Sequence, residues 1–567
     1  MEPLELNQSI QVLQEHKNAW ATLPIPQKID LLEQTRQRLA ERTDAWVDAS
    51  VRGKQMDPSS PEVGEEWTGG PWTLAHGING YLETLRALSQ GRVLKPKKIY
   101  TRFNGQVAAK IFPNNIFDTL LLNGITAEVW MQSGVTEANL DEGMASFYRQ
   151  KNGNEGKVAL VLGAGNVAGI PPRDVLYRLY ALGHVVILKM SPVNDYLGPI
   201  FEEIFAPYIQ AGFLRFAYGG AEVGSYLVHH AGVEEIHMTG SARTYETILF
   251  GHGAEGAERK RRNQPVLNKP FTGELGGVSP TIIVPGKWSQ ADIRYQAENV
   301  VTMKLQNAGF NCVASQVLVT SETWEQRDEF MDAIRQLMRD LPPRKSYYPG
   351  AAERQKEAVA VHPEAEAFGG EVPRTLITGL DANAENEYCF RKEFFSPVFA
   401  QTSLPGKDSA EFLRNAVQFC NQKLYGTLGV TILIAPKTLK ELGPVFEQAL
   451  ADLRYGSIGV NIWNAAAFLL VQATWGAYPG HTGDDIQSGI GIVGNSFLFD
   501  RPEKTVVRGS FYPFPRTWLH GDPAFLPKPP WFITNKTAHT TTKGVARITI
   551  DPKFRYLPAI LLSALQG

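Results

Sequence analysis

The sequence predicts an α/β protein made of two doubly wound domains. One observation is an alternation of short apolar strands with helices from Lys157 to Gly240. A second alternation starts at PTIIVPG (280–286). The third is a composition that fills large cores: 567 residues, 43% hydrophobic and only 20% charged. Strands separated by helices of 10–15 residues specify parallel sheets, and the length corresponds to about three to four units of ordinary domain size.

Residues 1 to 90 read as amphipathic helix. Ile29, Leu32 and Leu39 fall near helical spacing, and Lys28, Asp30, Glu33 and Arg36 occupy other faces. From 97 to 150 the pattern changes to strand-like GQVAAKIF (105–112) and TAEVWMQ (126–132), split by Asn114 and Asn115. This stretch reads as an excursion between two parts of one domain.

KVALVLG (157–163) opens the regular part as a buried strand, followed by the helix PRDVLYRLYALGH (172–184) with Pro near its start and Gly near its end. VVILKM (185–190), FLRFAYG (213–219) and EEIHMTG (234–240) continue the strands, with helices over about 195–211 and 221–230. Such sheets bind ligands at the carboxyl ends of their strands, so this half reads as a nucleotide-binding domain.

The second domain runs from PTIIVPG through a helix at about 290–308, the strand QVLVT (316–320), a helix at about 324–339 and the strand GTLGVTILI (426–434). After about 510 the chain is rich in proline and aromatics (FYPFPRTW, KPPWF) and ends with a strand-like VARITI (545–550). These aromatics imply a tail ordered by packing on another surface.

Composition excludes several classes. Lys and Arg total 56 against 58 Asp and Glu, a net charge of -2, without the basic excess of a nucleic-acid binder. Three cysteines, Cys312, Cys389 and Cys420, do not make a disulfide framework. MEPLELNQSI lacks the basic and apolar regions of a signal peptide, and Leu557 to Leu565 is too short to span a bilayer. The expectation is a soluble, cytoplasmic protein with no membrane or nucleic-acid partner.

Three stretches bear chemistry. Gly163, Gly165 and Ala168 match G-x-G-x-x-[GA] between a strand and a helix, yet Lys189 stands where a ribose-binding acid is expected. Cys312 lies in LQNAGFNCVAS between a helix and a strand, where a thiol can be exposed to substrate and nearby donors or a helix N-terminus can lower its pKa. Glu274 lies in FTGELGGVSP among Gly273, Gly276 and Gly277, which leave a carboxylate room to swing as a general base. Taken singly, each has a plain reading as well: a tight turn, a small buried hydrophobe, a solvated turn carboxylate.

Cys389 and Cys420 read as structural. His230, Glu234 and His237 do not have metal-ligand spacing, so no metal is expected. ERKRR (258–262) reads as a solvated loop, with a phosphate contact as the second reading. P-loop and nucleophile-elbow motifs are absent.

In combination these residues resemble the aldehyde dehydrogenase superfamily. Asn166, Lys189, TGS at 239–241, GELGG at 273–277, Cys312 and EFFSP at 393–397 occur in that family's order and approximate spacing. AWATLP (19–24) and GVNIWN (459–464) resemble its opening and late segments, so the likeness covers about residues 10 to 500.

The resemblance implies an NAD(P)-binding domain over 1–96 and 151–274 and a catalytic domain over 275–499. An oligomerisation excursion and tail would cover 97–150 and 500–567. It further implies oxidation of an aldehyde to a carboxylic acid with NAD or NADP, in a homodimer or homotetramer. Cys312 would attack the carbonyl, Asn166 and the Cys312 backbone N–H would hold the oxyanion, and Glu274 would activate water. Lys189 would bind the adenosine ribose, Gly240 and Ser241 would lie by the pyrophosphate with Gly165 nearby, and Glu393 would hold the nicotinamide ribose.

The sequence departs from the family's pattern in GAGNVAG around Asn166, in Pro192 where an acid often follows the lysine, and in the GHGAEGAERKRR insertion. An acyl-thioester reductase and a catalytically silent binding protein are the alternatives. Glu274 disfavours the first, and the retained trio of Asn166, Glu274 and Cys312 disfavours the second. Phe310, Trp463 and Tyr478 are candidate pocket linings for an apolar substrate.

Overall fold

The computed structural model describes residues 1–150 and 155–567. The boundary at 151 expected for the nucleotide-binding domain falls outside the described residues. Two sheets organise the chain.

The first sheet has five parallel strands in the spatial order Phe271–Leu275, Glu235–Gly240, Val158–Leu162, Val185–Lys189, Leu214–Ala217. Their residues are almost wholly buried, as expected of strands covered by helices on both faces. The early helices Pro3–Ala21, Ile25–Gly53 and Thr73–Ser89 pack on this sheet, with Leu13, Trp20, Leu32, Leu39 and Trp46 at 0% exposure.

The second sheet has eleven strands. Seven of them are parallel, in the order Pro502–Arg508, Ser457–Val460, Gly429–Leu433, Ser279–Ile283, Ser315–Ser321, Val398–Leu404, Arg374–Leu380. The 97–150 excursion supplies Lys98–Thr101, Val107–Phe112 and Thr126–Met131, antiparallel to one another and to Pro502–Arg508. Within one chain, then, the excursion and the tail strand widen the second sheet.

The two sheets are also stitched together. Gly489–Ile490, late in the chain, pairs antiparallel with Gly273 and Glu274 at the edge of the first sheet.

Two local expectations give way. VARITI is not a strand but the end of the helix Ala538–Ile550. Its buried Ala538, Thr541, Thr542, Val545 and Ala546 recur at three- and four-residue spacing, and Val545, Ala546 and Ile548 join a cluster with Val47, Trp67 and Trp72. Packing of that face overrides the β-propensity of isolated Val and Ile. ERKRR is likewise not a loop but the last turn and end of the helix Gly253–Arg261. Arg259–Glu255 and Arg262–Glu258 pair one turn apart and Lys260 reaches Glu246, which gives the basic run helical partners.

Candidate active site

The predicted site residues of the first sheet lie at or just after the carboxyl ends of its strands, while Cys312 and Glu393 precede strands of the second sheet. Lys189 ends one strand of the first sheet, Gly240 ends another, and Glu274 is the next-to-last residue of a third. Asn166 follows the strand Val158–Leu162. Cys312 comes from the side of the second sheet, in the short connection between the helical segment ending at Gly309 and the strand Ser315–Ser321.

Cys312 and Glu274 are brought face to face. The Cys312 thiol interacts with the Glu274 carboxyl, and burial together with that carboxyl's charge pushes the thiol well above its ordinary range, the opposite of the lowering expected from nearby donors. Glu274 is itself pushed up to about 7 by burial, against the opposing pull of Cys312 and Trp475. Its Oε1 is buried without a hydrogen-bond partner. A base tuned near neutrality and aimed at a thiol can take a proton from it or from a water beside it.

The Glu274 backbone is paired in the strand ladder with Thr239 and Gly489. A Cβ on Gly276 would stand 1.9 Å from Glu393 Oε1, and one on Gly277 would press the Tyr425–Gly426 backbone at 3.0 Å. These glycines allow close approach of neighbours. They seat Glu393, whose carboxyl is pushed up to about 8 by burial and by the Glu274 charge, against Lys304 and Arg354. Lys304, 1% exposed, is pulled down to about 7 by burial, with Glu393 opposing.

Asn166 is buried, and its Nδ2 donates to the Phe310 carbonyl at 2.9 Å, spending one of its two N–H bonds. That bond ties the amide to the loop carrying Cys312. Its own carbonyl accepts from Lys54 Nζ (3.2 Å), Asn307 Nδ2 (3.1 Å) and Tyr347 Oη (2.9 Å). Lys54 also donates to Glu66 Oε1 at 2.6 Å and to Asn307 Oδ1 at 3.0 Å.

Asn307 and Ala308 both sit in the left-handed region, at φ 53° and 54°. For residues with a Cβ this costs about 1–3 kcal/mol each. The Lys54–Glu66–Tyr347 network and the Glu65 carboxylate, which accepts from the Asn307 backbone N–H at 3.0 Å, hold that turn. Arg344 in turn clamps Glu65 with Nη2 at 2.6 Å.

The residues expected to bind the dinucleotide fit such a group. Gly240 and Ser241 are exposed, and Ser241 caps the nine-residue helix Ala242–Phe250, accepting from Thr244 N at 3.2 Å. The free N–H groups of that first turn suit a pyrophosphate. Lys189 is lowered by burial, while Glu222 and Asp195 bring the negative charge that Pro192 does not. Gly165 is buried, and a Cβ there would meet Ser191 Oγ at 2.6 Å. It packs the Asn166 loop on the loop after Lys189.

Of the expected pocket linings, Phe310 is 0% exposed and stacks among Tyr347, Tyr348 and Phe395, so it is core. Trp463 donates to the Val313 carbonyl at 2.9 Å, beside Cys312, and Tyr478 packs under Lys504. His237, discounted as a ligand, is buried against Thr272 and Asp174. Among the described residues, one trio of possible metal ligands gathers, His362, Glu387 and Cys389. His362 there meets Glu364 Oε1 at 3.0 Å and Glu387 Oε1 at 2.9 Å.

Lys54, Glu66, Asn307, Tyr347, Lys304 and Asp174 were not singled out from the sequence. A lone lysine at a helix end or a lone carboxylate inside a helix matches no motif, and only the fold shows what each one meets.

Comparison with known proteins agrees with this geometry. A model of the aldehyde dehydrogenase family matches residues 175–468, just over half of the chain. That span contains Lys189, Ser241, Glu274, Cys312 and Glu393 and begins shortly after Asn166.

D-glyceraldehyde dehydrogenase (NADP(+)) of Thermoplasma acidophilum is 28% identical over 324 residues, 52% of this chain and 58% of that protein. Coniferyl aldehyde dehydrogenase of a Pseudomonas species is 26% identical over 282 residues, 47% of this chain and 52% of that protein. The chain thus spans little more than half the length of these relatives.

An oxidoreductase structure from Marinobacter aquaeolei superposes with a TM-score of 0.59 at 18% identity, covering 90% of this chain and 91% of that one. NADP-dependent glyceraldehyde-3-phosphate dehydrogenase from Bacillus halodurans gives 0.57 at 17% identity, covering 90% and 92%. These structures share the fold across almost the whole length. The family model's extent, and the agreement between it and the site's own residues, place this chain in the aldehyde dehydrogenase family.

Proposed function

We propose that this protein oxidises an aldehyde to a carboxylic acid with NAD or NADP, through a thioester on Cys312. The observation that carries this reading is the meeting of the Cys312 thiol and the buried Glu274 carboxyl, brought from two domains to the mouth of one sheet. Glu274 takes the thiol proton as sulfur adds to the carbonyl carbon. The second N–H of Asn166 Nδ2 and the Cys312 backbone N–H receive the developing oxyanion; one such donor supplies about 3–4 kcal/mol. A bound nicotinamide supplies the acceptor for the hydride that leaves the thiohemiacetal carbon. After the thiol proton has been released, Glu274 takes a proton from water, whose oxygen adds to the thioester as the carbon–sulfur bond breaks, and the departing Cys312 thiolate takes a proton back to restore the thiol.

Lys189, Gly240, Ser241 and Glu393 are the residues that would hold the dinucleotide, with Gly276 giving Glu393 its seat. The reductase alternative loses ground because a base set against the thioester sulfur diverts it to acid. The names of the relatives, one for D-glyceraldehyde and one for coniferyl aldehyde, support an aldehyde substrate without selecting its chain.

Among the described residues no helix is long and apolar enough to cross a membrane. Three unpaired cysteines suit a reducing cytoplasm. Self-association is supported by the open edge of Lys98–Thr101, with Phe103 beside it 60% exposed.

The test is reduction of NAD and of NADP by a panel of aldehydes. Turnover in the parent, its loss in Cys312→Ala and an accumulating acyl-enzyme in Glu274→Gln are expected. A parent inert toward aldehydes that consumes NADPH with an acyl-CoA would overturn the reading.

A further inference from the structure

A second cluster of chemistry-bearing side chains lies at the far end of the helix that braces the Glu393 segment. Arg354, in the first turn of the helix Ala351–Val361, donates to the Phe394 and Phe395 carbonyls at 2.6 and 2.9 Å. His362 caps the other end of that helix. Glu387 caps the start of the short helix Tyr388–Arg391, which contains Cys389.

The side chains converge on one point. A ring nitrogen of His362, a carboxylate oxygen of Glu387 and the Cys389 sulfur all lie within 4.8 Å of one another. His362 Nε2 stands 2.9 Å from Glu387 Oε1, and His362 Nδ1 stands 3.0 Å from Glu364 Oε1. Glu387 Oε1 also accepts from the Cys389 backbone N–H at 2.9 Å, which fixes the carboxylate beside the thiol. Cys389 is fully buried. Among the described residues, no lysine or arginine pairs with Glu364 or Glu387, and their one ionic partner is His362.

Two carboxylates on one imidazole leave a charge to be placed. A neutral imidazole offers one donor and one acceptor, so it satisfies only one of the two. With Nδ1–H donated to Glu364, the Nε2 lone pair faces the Glu387 carboxylate, and something positive has to stand between them. A proton at Nε2 makes no use of the sulfur beside it. A divalent metal ion uses all three converging atoms.

We propose that His362 Nε2, Glu387 and Cys389 Sγ form a site for a zinc-class divalent metal ion, with Glu364 holding the histidine from behind. Zinc takes imidazole, carboxylate and thiolate at about 2.0–2.3 Å, which sets the ligand atoms of one tetrahedral site roughly 3–4 Å apart. Side-chain rotation closes the 4.8 Å spread to that spacing. A carboxylate that accepts the other ring N–H is the common outer partner of a metal-bound histidine, and it fixes the tautomer that presents Nε2. Three protein ligands leave the fourth position to water. On binding, the Cys389 S–H bond breaks, the sulfur donates the electron pair to the metal, and the proton goes to solvent.

The site is separate from the Cys312 centre and does not depend on the activity proposed above. Its role is to tie the end of Ala351–Val361 to Glu387 and Cys389, as Arg354 ties the start to Phe394 and Phe395. Gln316 joins from the second sheet, donating to the Cys389 and Lys392 carbonyls at 3.0 and 2.7 Å. The segment that carries Glu393 is thereby held from three sides.

The experiment uses the full-length chain, stripped with a chelator, and its Cys312→Ala variant, in which the active-site thiol is not a competing ligand. Zinc is titrated against a chromophoric chelator, and cobalt(II) is then used in its place to read sulfur ligation. One zinc per chain, a rise in Tm on binding and a near-ultraviolet thiolate-to-cobalt band are expected in both proteins. Cys389→Ser should abolish the band. Glu364→Gln should keep it and weaken zinc about 10–100-fold, as loss of an outer partner does. The Glu364 side chain is 58% exposed, so this variant decides the matter if Cys389→Ser does not fold.

A parent that takes up no stoichiometric zinc overturns the proposal and leaves a proton between His362 and Glu387. Zinc affinity equal to the parent's in Cys389→Ser and Glu364→Gln overturns it as well. A cobalt band that is lost in Cys312→Ala and survives in Cys389→Ser moves the metal to the active-site thiol, which also overturns it.

Discussion

Replacing Glu274 by Gln is expected to stabilise the protein at alkaline pH and leave it unchanged in acid. Glu274 is 3% exposed and its folded carboxyl is raised from 4.5 to about 7, first by burial. A raised carboxyl favours the folded state only while protonated. That contribution is complete below the unfolded value of 4.5 and is lost as pH climbs through about 7. Above that, the folded protein pays to keep a charge out of water, about 3 kcal/mol at 1.36 kcal/mol per pKa unit.

A glutamine imitates the protonated acid, so it removes this cost where the cost exists. With about 2.1 cal/mol/K of unfolding entropy per residue over 567 residues, 3 kcal/mol corresponds to about 3 °C in Tm. The assay is differential scanning calorimetry of parent and variant at one scan rate, at about pH 5 and about pH 8.5, chosen to bracket that range. A gain of about 3 °C at the higher pH and almost none at the lower is expected. An equal shift at both values, or a loss at the higher, would refute the assignment of Glu274 as the desolvated base.

Other outcomes follow from the same geometry. Gly276→Ala puts a Cβ 1.9 Å from Glu393 Oε1, so it should displace that carboxyl and raise KM for the dinucleotide several-fold with thermal stability near the parent's, read by cofactor titration. Lys54→Met leaves Glu66, 3% exposed, without its 2.6 Å partner; a loss of about 3–5 kcal/mol in denaturant titration is expected. The same variant should slow alkylation of Cys312 by iodoacetamide, since the Asn307–Ala308 turn loses its brace. Thioester hydrolysis should rise with pH through about 7 as Glu274 ionises, and Glu274→Gln should abolish that limb in a stopped-flow pH series.

The parallel sheets were legible because KVALVLG and VVILKM are apolar runs of strand length between helix signals. Asn166, Glu274 and Cys312 were legible only in combination, since each alone also reads as a turn or core residue. The tail was misread for the converse reason. Val, Ile and Thr in VARITI favour a strand locally, and only the cluster of Val47, Trp67 and Trp72 beneath the helix Ala538–Ile550 decides for a helix. ERKRR looked like solvated charge because its partner Glu246 lies outside the run, and Glu255 is recognised as a partner only once the segment is helical.

The groups that tune the site leave no such trace. Lys54 is 253 residues from Asn307 in sequence, and Asp174 stands 65 residues before Thr239, the hydroxyl that orients it. Their chemistry arises from burial and from what the fold sets opposite them, and neither belongs to a spacing. The same burial that raises Glu274 to a useful base makes it costly to ionise, and the same left-handed turn that presents Cys312 has to be held by Lys54 from the far end of the chain. Reactivity at this site is therefore maintained against the stability of the fold. Glu274→Gln, which gains stability by surrendering the base, and Lys54→Met, which loses both, separate those two contributions.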